Sequence, residues 1–145
     1  MRLQIPVTPE DFEKYYQLRW EVLRKPWNQV KGTEKDDLED FSFHLMAVDK
    51  KNECIGVGRL QFNSNEEAQV RFMGVRNDQQ GKGVGKKLIR KLEQKAKEKG
   101  VKKIILQARE NAVPFYLSIG YKKIEKSFLM WGLIQHYKMQ KEINF

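Results

Sequence analysis

A glycine-rich loop caught between a strand and a basic helix constrains this chain more than any other feature. Residues 68–76 (AQVRFMGVR) read as a strand, with Val70, Phe72 and Gly74 on one face and Gln69, Arg71 and Met73 on the other. From Val84 the pattern turns helical: Val84, Leu88, Leu92 and Ala96 share an apolar stripe, lysines cover the rest, and Gly100 closes the helix. Residues 101–107 (VKKIILQ) then read as a buried strand. The loop itself is Gln80-Gly81-Lys82-Gly83-Val84-Gly85-Lys86. Glycines let the backbone approach a ligand, and a helix N-terminus offers unpaired N–H groups to an anion. A phosphate or pyrophosphate is the natural guest. The plainer alternative is a flexible turn ahead of a solvated basic helix.

Charge sharpens that reading. The chain carries a formal +9, and residues 79–103, with 10 basic and 2 acidic side chains, hold +8 of it. So local a field implies an anionic partner: nucleic acid, an acidic surface or a phosphorylated small molecule. A nucleic-acid-binding module would use the basic helix 84–103 and interleave aromatics with the lysines. No aromatic lies between Phe72 and Phe115, so no nucleic-acid partner is expected. Two nucleotide motifs fail on spacing. A Walker loop needs a hydroxyl after Gly85-Lys86, where this chain has Lys87. A dinucleotide fingerprint needs GxGxxG, but the glycines fall at 81, 83 and 85, and no acid ends the next strand at Gln107.

The remaining segments point to one mixed α/β domain over residues 1–145. Residues 3–7 alternate weakly as a first strand, and Thr8-Pro9-Glu10-Asp11 starts a helix running to about Leu23. Arg19 falls on its apolar face, Pro26 stops it, and the acidic stretch 33–40 is a loop or a short second helix. Residues 41–48 and 54–62 are strands joined by a polar turn at 50–53. A short helix fits 111–118, ended by Gly120, and residues 121–131 and 133–142 form a last strand pair turning near Gly132. With 145 residues the chain can bury a core without staples, and its lone Cys54 fits a reducing compartment. No apolar run approaches the ~18 residues of a membrane span, and the start has no signal-like apolar region. A cytoplasmic protein with no membrane partner is expected.

Gln80, Gly83 and Gly85 fit the pattern Q/R-x-x-G-x-G, and about 30 residues on comes Ala112-Val113-Pro114-Phe115-Tyr116-Leu117-Ser118-Ile119-Gly120-Tyr121. With these two segments in their flanking elements, the chain resembles the GCN5-related N-acetyltransferase (GNAT) superfamily. Residues 18–24 (LRWEVLR) and 56–62 (GVGRLQF), with His44 and His136, look similar to an ElaA-type branch. The resemblance implies a mostly antiparallel central sheet of about 6–7 strands flanked by about 4 helices. It implies acetyl-CoA as acyl-donor substrate, no metal, a small-molecule or peptide amine as acceptor, and allows a homodimer.

The resemblance also assigns roles. Main-chain amides of Gln80, Gly81, Lys82, Gly83, Val84, Gly85 and Lys86 would hold the CoA pyrophosphate. The pantetheine arm would pair with the free edge at Met73, Gly74 and Val75, where the small Gly74 suits a close approach. An unprotonated amine would attack the thioester in a ternary complex, with the oxyanion held by an N–H near Val75. Tyr116 would protonate the departing CoA thiolate, since a phenol with pKa near ~10 is protonated at neutral pH. Where the family often carries a pantetheine-contacting Asn, this chain has Arg109; Asn111 is near but offset. A non-catalytic acyl-CoA sensor on the same fold is the alternative.

The general base and the acceptor site are more open. Gln69 stands where some members carry a Glu, which leaves Glu67, Glu21, Glu110, His44 and His136 as candidates. His136 is the titrating group expected nearest the acceptor, against a structural role within the sheet. Arg19, Arg59 and Arg71 come from elements that border the acceptor pocket. A buried charge needs a partner, either an internal carboxylate or an anionic acceptor.

Overall fold

The computed structural model describes residues 1–143, and its elements start where local chemistry sets them. Helix α1 (Pro9–Leu23) opens with a reciprocal capping box. The Asp11 amide donates to the Thr8 hydroxyl at 3.1 Å, and the Asp11 carboxylate accepts from the Thr8 amide at 3.2 Å. Helix α2 (Val84–Glu98) follows the glycine loop, and α3 (Val113–Ser118) is a short third helix. The strands are β1 (Arg2–Gln4), β2 (Phe43–Val48), β3 (Cys54–Phe62), β4 (Glu67–Val75), β5 (Lys103–Arg109), β6 (Lys122–Met130) and β7 (Ile134–Glu142). They form one sheet in the order β1-β2-β3-β4-β5-β7-β6. Every pairing is antiparallel except β4–β5.

Among the described residues there are three α-helices rather than about four. The acidic stretch 33–40 forms turns and a 3-10 turn over Glu39–Phe41, because its carboxylates are drawn into bonds with arginines and backbone amides. No helix among the described residues is long and apolar enough to cross a membrane.

The sheet buries both faces. Leu88, Ile89 and Leu92 of α2 pack with Ala47, Ile55, Leu60, Val70 and Leu106 on one side. Tyr15 and Leu18 of α1 pack with Met46, Val48 and Val57 on the other. Each fully buried aliphatic side chain contributes about 1.5–3 kcal/mol. Gly56 lets α2 lie close: a Cβ there would stand 2.8 Å from Leu88 Cδ1 and 2.9 Å from Val84 Cγ1.

Strand β4 departs from simple alternation. Its register with β3 shifts between Val57 and Arg59, and Phe72 has a φ of 52°, a strained value for a bulky residue. Val70 faces α2, but Phe72 and Gly74 turn to the α1 side, while Met73 and Val75 join the α2-side core. The expected common face of Val70, Phe72 and Gly74 is thus broken by one bulged residue. Beyond it β4 and β5 part: their pairing ends at Val70 opposite Leu106. β4 continues with β3 to Val75, and β5 continues with β7 to Arg109 opposite His136. A wedge-shaped opening results.

Replacing Gly56 by Ala forces the start of α2 away from β3, so stability should fall by about 1–3 kcal/mol. The denaturant midpoint of Gly56→Ala against the parent reads this directly.

Candidate active site

The wedge between β4 and β5 holds a cleft of about 190 Å³. It is lined by Arg24, Gln69, Arg71, Phe72, Met73, Gln107, Arg109, Ala112, Tyr116, Phe128, Met130 and His136, among others. Residues from both faces of the sheet meet here because the missing β4–β5 pairing opens a passage between them.

At one end the glycine loop meets the free edge of β4. Gly81 and Gly83 have φ of 76° and 84°, with open space where a Cβ would sit. The Lys87 amide donates to the Gly83 carbonyl at 3.1 Å; none of the amides from 81 to 86 donates to a described residue. The loop therefore presents a row of unpaired donors at the positive end of α2. The Gln80 side-chain amide donates to the Val75 carbonyl at 3.2 Å and so ties the loop to β4. Gly85 lies against Val75 and Phe115, the residue before Tyr116. The Arg76 amide donates to Ile55 of β3, and strand alternation turns the Val75 amide the other way, into the wedge. A Cβ on Gly74 would stand 3.1 Å from Val22 Cγ1, so packing against α1 also favours a glycine there.

Tyr116 is buried yet lines the cleft, and its hydroxyl bonds to no described residue. The other four tyrosines are all engaged: Tyr15 with His44 and Gly58, Tyr16 with Glu39, Tyr121 with Glu93, and Tyr137 with Glu110. Burial raises the Tyr116 phenol well above its ordinary value, so the proton stays on.

His136 sits across the same cleft on β7, with its ring stacked on Phe128 at 4.3 Å. Its Nδ1 is 3.0 Å from the Ile134 carbonyl. A carbonyl only accepts, so Nδ1 carries the hydrogen and Nε2 keeps a lone pair. Burial lowers the imidazole pKa, and Arg109 and Arg24 lower it further against the pull of the Ile134 bond. His136 is thus a neutral base at neutral pH.

The other basic and acidic candidates lie elsewhere. Glu67 pairs with Lys103 at 3.6 Å and accepts from Asn63 at 2.9 Å, outside the cleft lining. His44 is held between Tyr15 and the Glu39 carbonyl. Asn111 is exposed in the turn before α3 and does not line the cleft. Lys82 and Lys86 are exposed beside the loop.

The arginines divide into two sets. Arg19 and Arg59 are fully buried, and Glu39 accepts from both, at 2.9 and 2.7 Å. Asp36 pairs with Arg59 at 2.6 Å and with Arg71 at 3.0 Å. Of the three expected acceptor-site arginines only Arg71 reaches the cleft. All three guanidiniums, with that of Arg24, surround the Phe72 ring at 4.4 to 5.6 Å. The buried Nε atoms of Arg19 and Arg59 bond to nothing among the described residues. Sequence reading missed Arg24, Arg109 and the acidic residues that neutralise this cluster. The available signal was the acid-rich stretch 34–39, which has no apolar periodicity of its own, placed beside arginines in apolar elements.

The family match identifies an acyltransferase: the chain belongs to the GNAT acetyltransferases, since residues 21–143 match the model of the acetyltransferase (GNAT) domain. It is 32% identical over 143 residues to an uncharacterised N-acetyltransferase, YjcF, of Bacillus subtilis (strain 168), covering 98% of this chain and 100% of that protein. In structure it is similar to Escherichia coli ElaA, with a TM-score of 0.82 at 20% identity over 97% of this chain and 99% of that one. It is likewise similar to an aminoglycoside 6′-N-acetyltransferase complexed with coenzyme A, with a TM-score of 0.83 at 16% identity over 100% and 98% of the two chains.

The Arg59 and Arg71 guanidiniums and the Leu38 amide hold the Asp36 carboxyl down at about 2 despite partial burial. A carboxylate so depressed adds stability above its unfolded value near ~4 and loses it as pH falls toward 2. Asp36→Asn should therefore be less stable at pH 7 but flatter between pH 4 and 2, as followed by thermal unfolding across that range.

Proposed function

We propose that this enzyme transfers the acetyl group of acetyl-CoA to a primary amine by direct attack within a ternary complex. The residues present suit that donor. The unpaired amides of the loop 81–86 would take the pyrophosphate, with Lys82 and Lys86 nearby for the remaining phosphate charge. The free β4 edge at Met73 and Val75 offers backbone groups to an extended pantetheine arm, as a strand edge does to a peptide.

Each chemical task then has a group in the cleft. His136 Nε2 removes a proton from the acceptor ammonium, directly or through one water, so that a lone pair can attack the thioester carbonyl. The Val75 amide, aimed into the wedge, stabilises the oxyanion that develops on that carbonyl. Collapse of the tetrahedral species breaks the carbon–sulfur bond, and Tyr116 gives its proton to the departing thiolate. The products are an N-acetylated amine and CoA. The single observation that carries this reading is the Tyr116 hydroxyl, the one tyrosine oxygen without a partner among the described residues, set in the passage between donor and acceptor sides.

A small buried Cys54 is no competitor as nucleophile, because burial pushes its thiol up to about 12. A cytoplasmic setting accords with this free thiol.

Two measurements test the mechanism. Tyr116→Phe should bind acetyl-CoA within about 2-fold of the parent while kcat falls about 100-fold. Unchanged turnover removes Tyr116 from the reaction, and a protein that binds but never turns over any amine is a sensor. In the pH profile of kcat/KM, the parent should lose activity as His136 protonates, at an apparent pKa below the ordinary ~6.5. His136→Gln should lower the plateau and remove that acidic limb.

A further inference from the structure

The acceptor side of the cleft has a charge pattern that the acetyl-transfer reading leaves unexplained. The Arg24 Nη1 and Arg109 Nη2 atoms both donate to the Leu23 carbonyl oxygen, at 3.1 and 2.9 Å. Two guanidiniums therefore meet at one atom, and neither has a carboxylate within ion-pair distance among the described residues. Arg71 reaches the same cleft with one nitrogen on Asp36, a carboxylate it shares with Arg59. Arg19, Arg59 and Arg71 thus share two ion-paired carboxylates, Asp36 and Glu39, while Arg24 and Arg109 have none, and the surplus charge falls at the cleft. No Asp or Glu lines it. Burial and the charges of Arg109, Arg71 and Arg19 lower the Arg24 guanidinium to about 10, with Glu34 only partly opposing them.

Like charges held together at a half-buried site are costly unless an anion joins them. After their internal bonds, Arg24 keeps Nη2, Arg109 keeps Nε and Nη1, and Arg71 keeps Nε and Nη2 as unused donors. Planar guanidinium forks match carboxylate and phosphate oxygens. Trp131 and Trp27 back the pair, with Arg24 5.4 Å from the first ring and Arg109 6.0 Å from the second. The cleft, at about 190 Å³, is below the ~300 Å³ at which drug-sized pockets begin, so it suits a small molecule.

Resting on the acetyl-transfer reading above, we propose that the acceptor is a small amine that also carries an anionic group, a carboxylate or a phosphate a few bonds from the nitrogen, held by Arg109, Arg24 and Arg71. The anion fixes the amine beside His136, and the same arginines exclude polycationic amines. The aminoglycoside acceptor of a structural neighbour at 16% identity is therefore not the expected one here.

Matched acceptors provide the test. Thiol release from acetyl-CoA is measured with amino acids against their C-terminal amides, phosphoethanolamine against ethanolamine, and with spermidine and kanamycin as polycations. The best anionic acceptor should exceed its neutral partner at least about 10-fold in kcat/KM, chiefly through KM, and which pair shows the gap separates carboxylate from phosphate. Arg109→Gln should shrink the gap to under about 3-fold, Arg109→Lys should restore part of it, and acetyl-CoA affinity should hold in both. Equal or better turnover of neutral or polycationic amines overturns the proposal, as does an Arg109→Gln variant whose acetyl-CoA affinity falls instead. Binding is read separately by titrating the same amines into the acetyl-CoA complex and following Trp27 and Trp131 fluorescence. No saturable response to any anionic amine also overturns it. Failure of acetyl-CoA itself to bind removes the acetyl-transfer reading, and this proposal with it.

Discussion

The bulge at Phe72 is the constraint on which the site depends. A bulky residue at positive φ costs on the order of 1–3 kcal/mol and persists only where its surroundings hold it. Here four guanidiniums surround its ring, each such contact contributing about 0.5–2 kcal/mol, and the carboxylates of Asp36 and Glu39 hold three of those arginines in place. The extra residue turns Met73 and Val75 toward α2 and Gly74 toward α1, at the point where β4 leaves β5. The open edge, the inward Val75 amide and the cleft all follow from that departure. The arginine cluster is thus a structural clamp, and its outer rim is the proposed binding surface.

On the proposed reading, donor and acceptor tasks are separated by the sheet. On the α2 side the glycine loop and the β4 edge offer backbone donors, a recognition mode that depends on chain geometry rather than on side-chain identity. On the α1 side recognition would rest on side chains: Arg24 from the end of the helix, Arg109 from the end of β5 and His136 opposite it on β7. Tyr116 stands at the passage between them. Burial lowers the His136 imidazole most and the charges of Arg109 and Arg24 add to it, so the cations that would hold an anionic acceptor also favour the neutral base.

Much of the fold was legible in the sequence because its signals were local. The Thr8 capping box, the stripe from Val84 to Ala96 and the glycines at 81 and 83 each state their structure within a few residues. The turn of the glycine loop and the short helix that carries Tyr116 were legible for the same reason. What the sequence could not show were features set by long-range packing. Alternation placed Phe72 with Val70, and nothing local marks the bulge that separates them. Gly74 suggested a ligand's approach, and nothing local shows that Val22 of α1 also crowds the place of its Cβ. Arg19 and Arg59 were rightly suspected of needing partners, but those partners sit in an acidic stretch whose course is set only once the arginines bind it. Arg109 reaches the Leu23 carbonyl, where Arg24 also donates, across 86 positions of sequence, beyond any spacing rule.

The central claim is that the glycine loop and the wedge at β4 form one continuous donor site. Its most direct test is a titration of the protein with acetyl-CoA followed by backbone amide NMR at moderate salt. The account predicts saturable shifts of the amides from 81 to 86 together with Met73 and Val75, and a change at Tyr116. Shifts confined to the lysine-rich face of α2, without the β4 edge and erased by added salt, would contradict it.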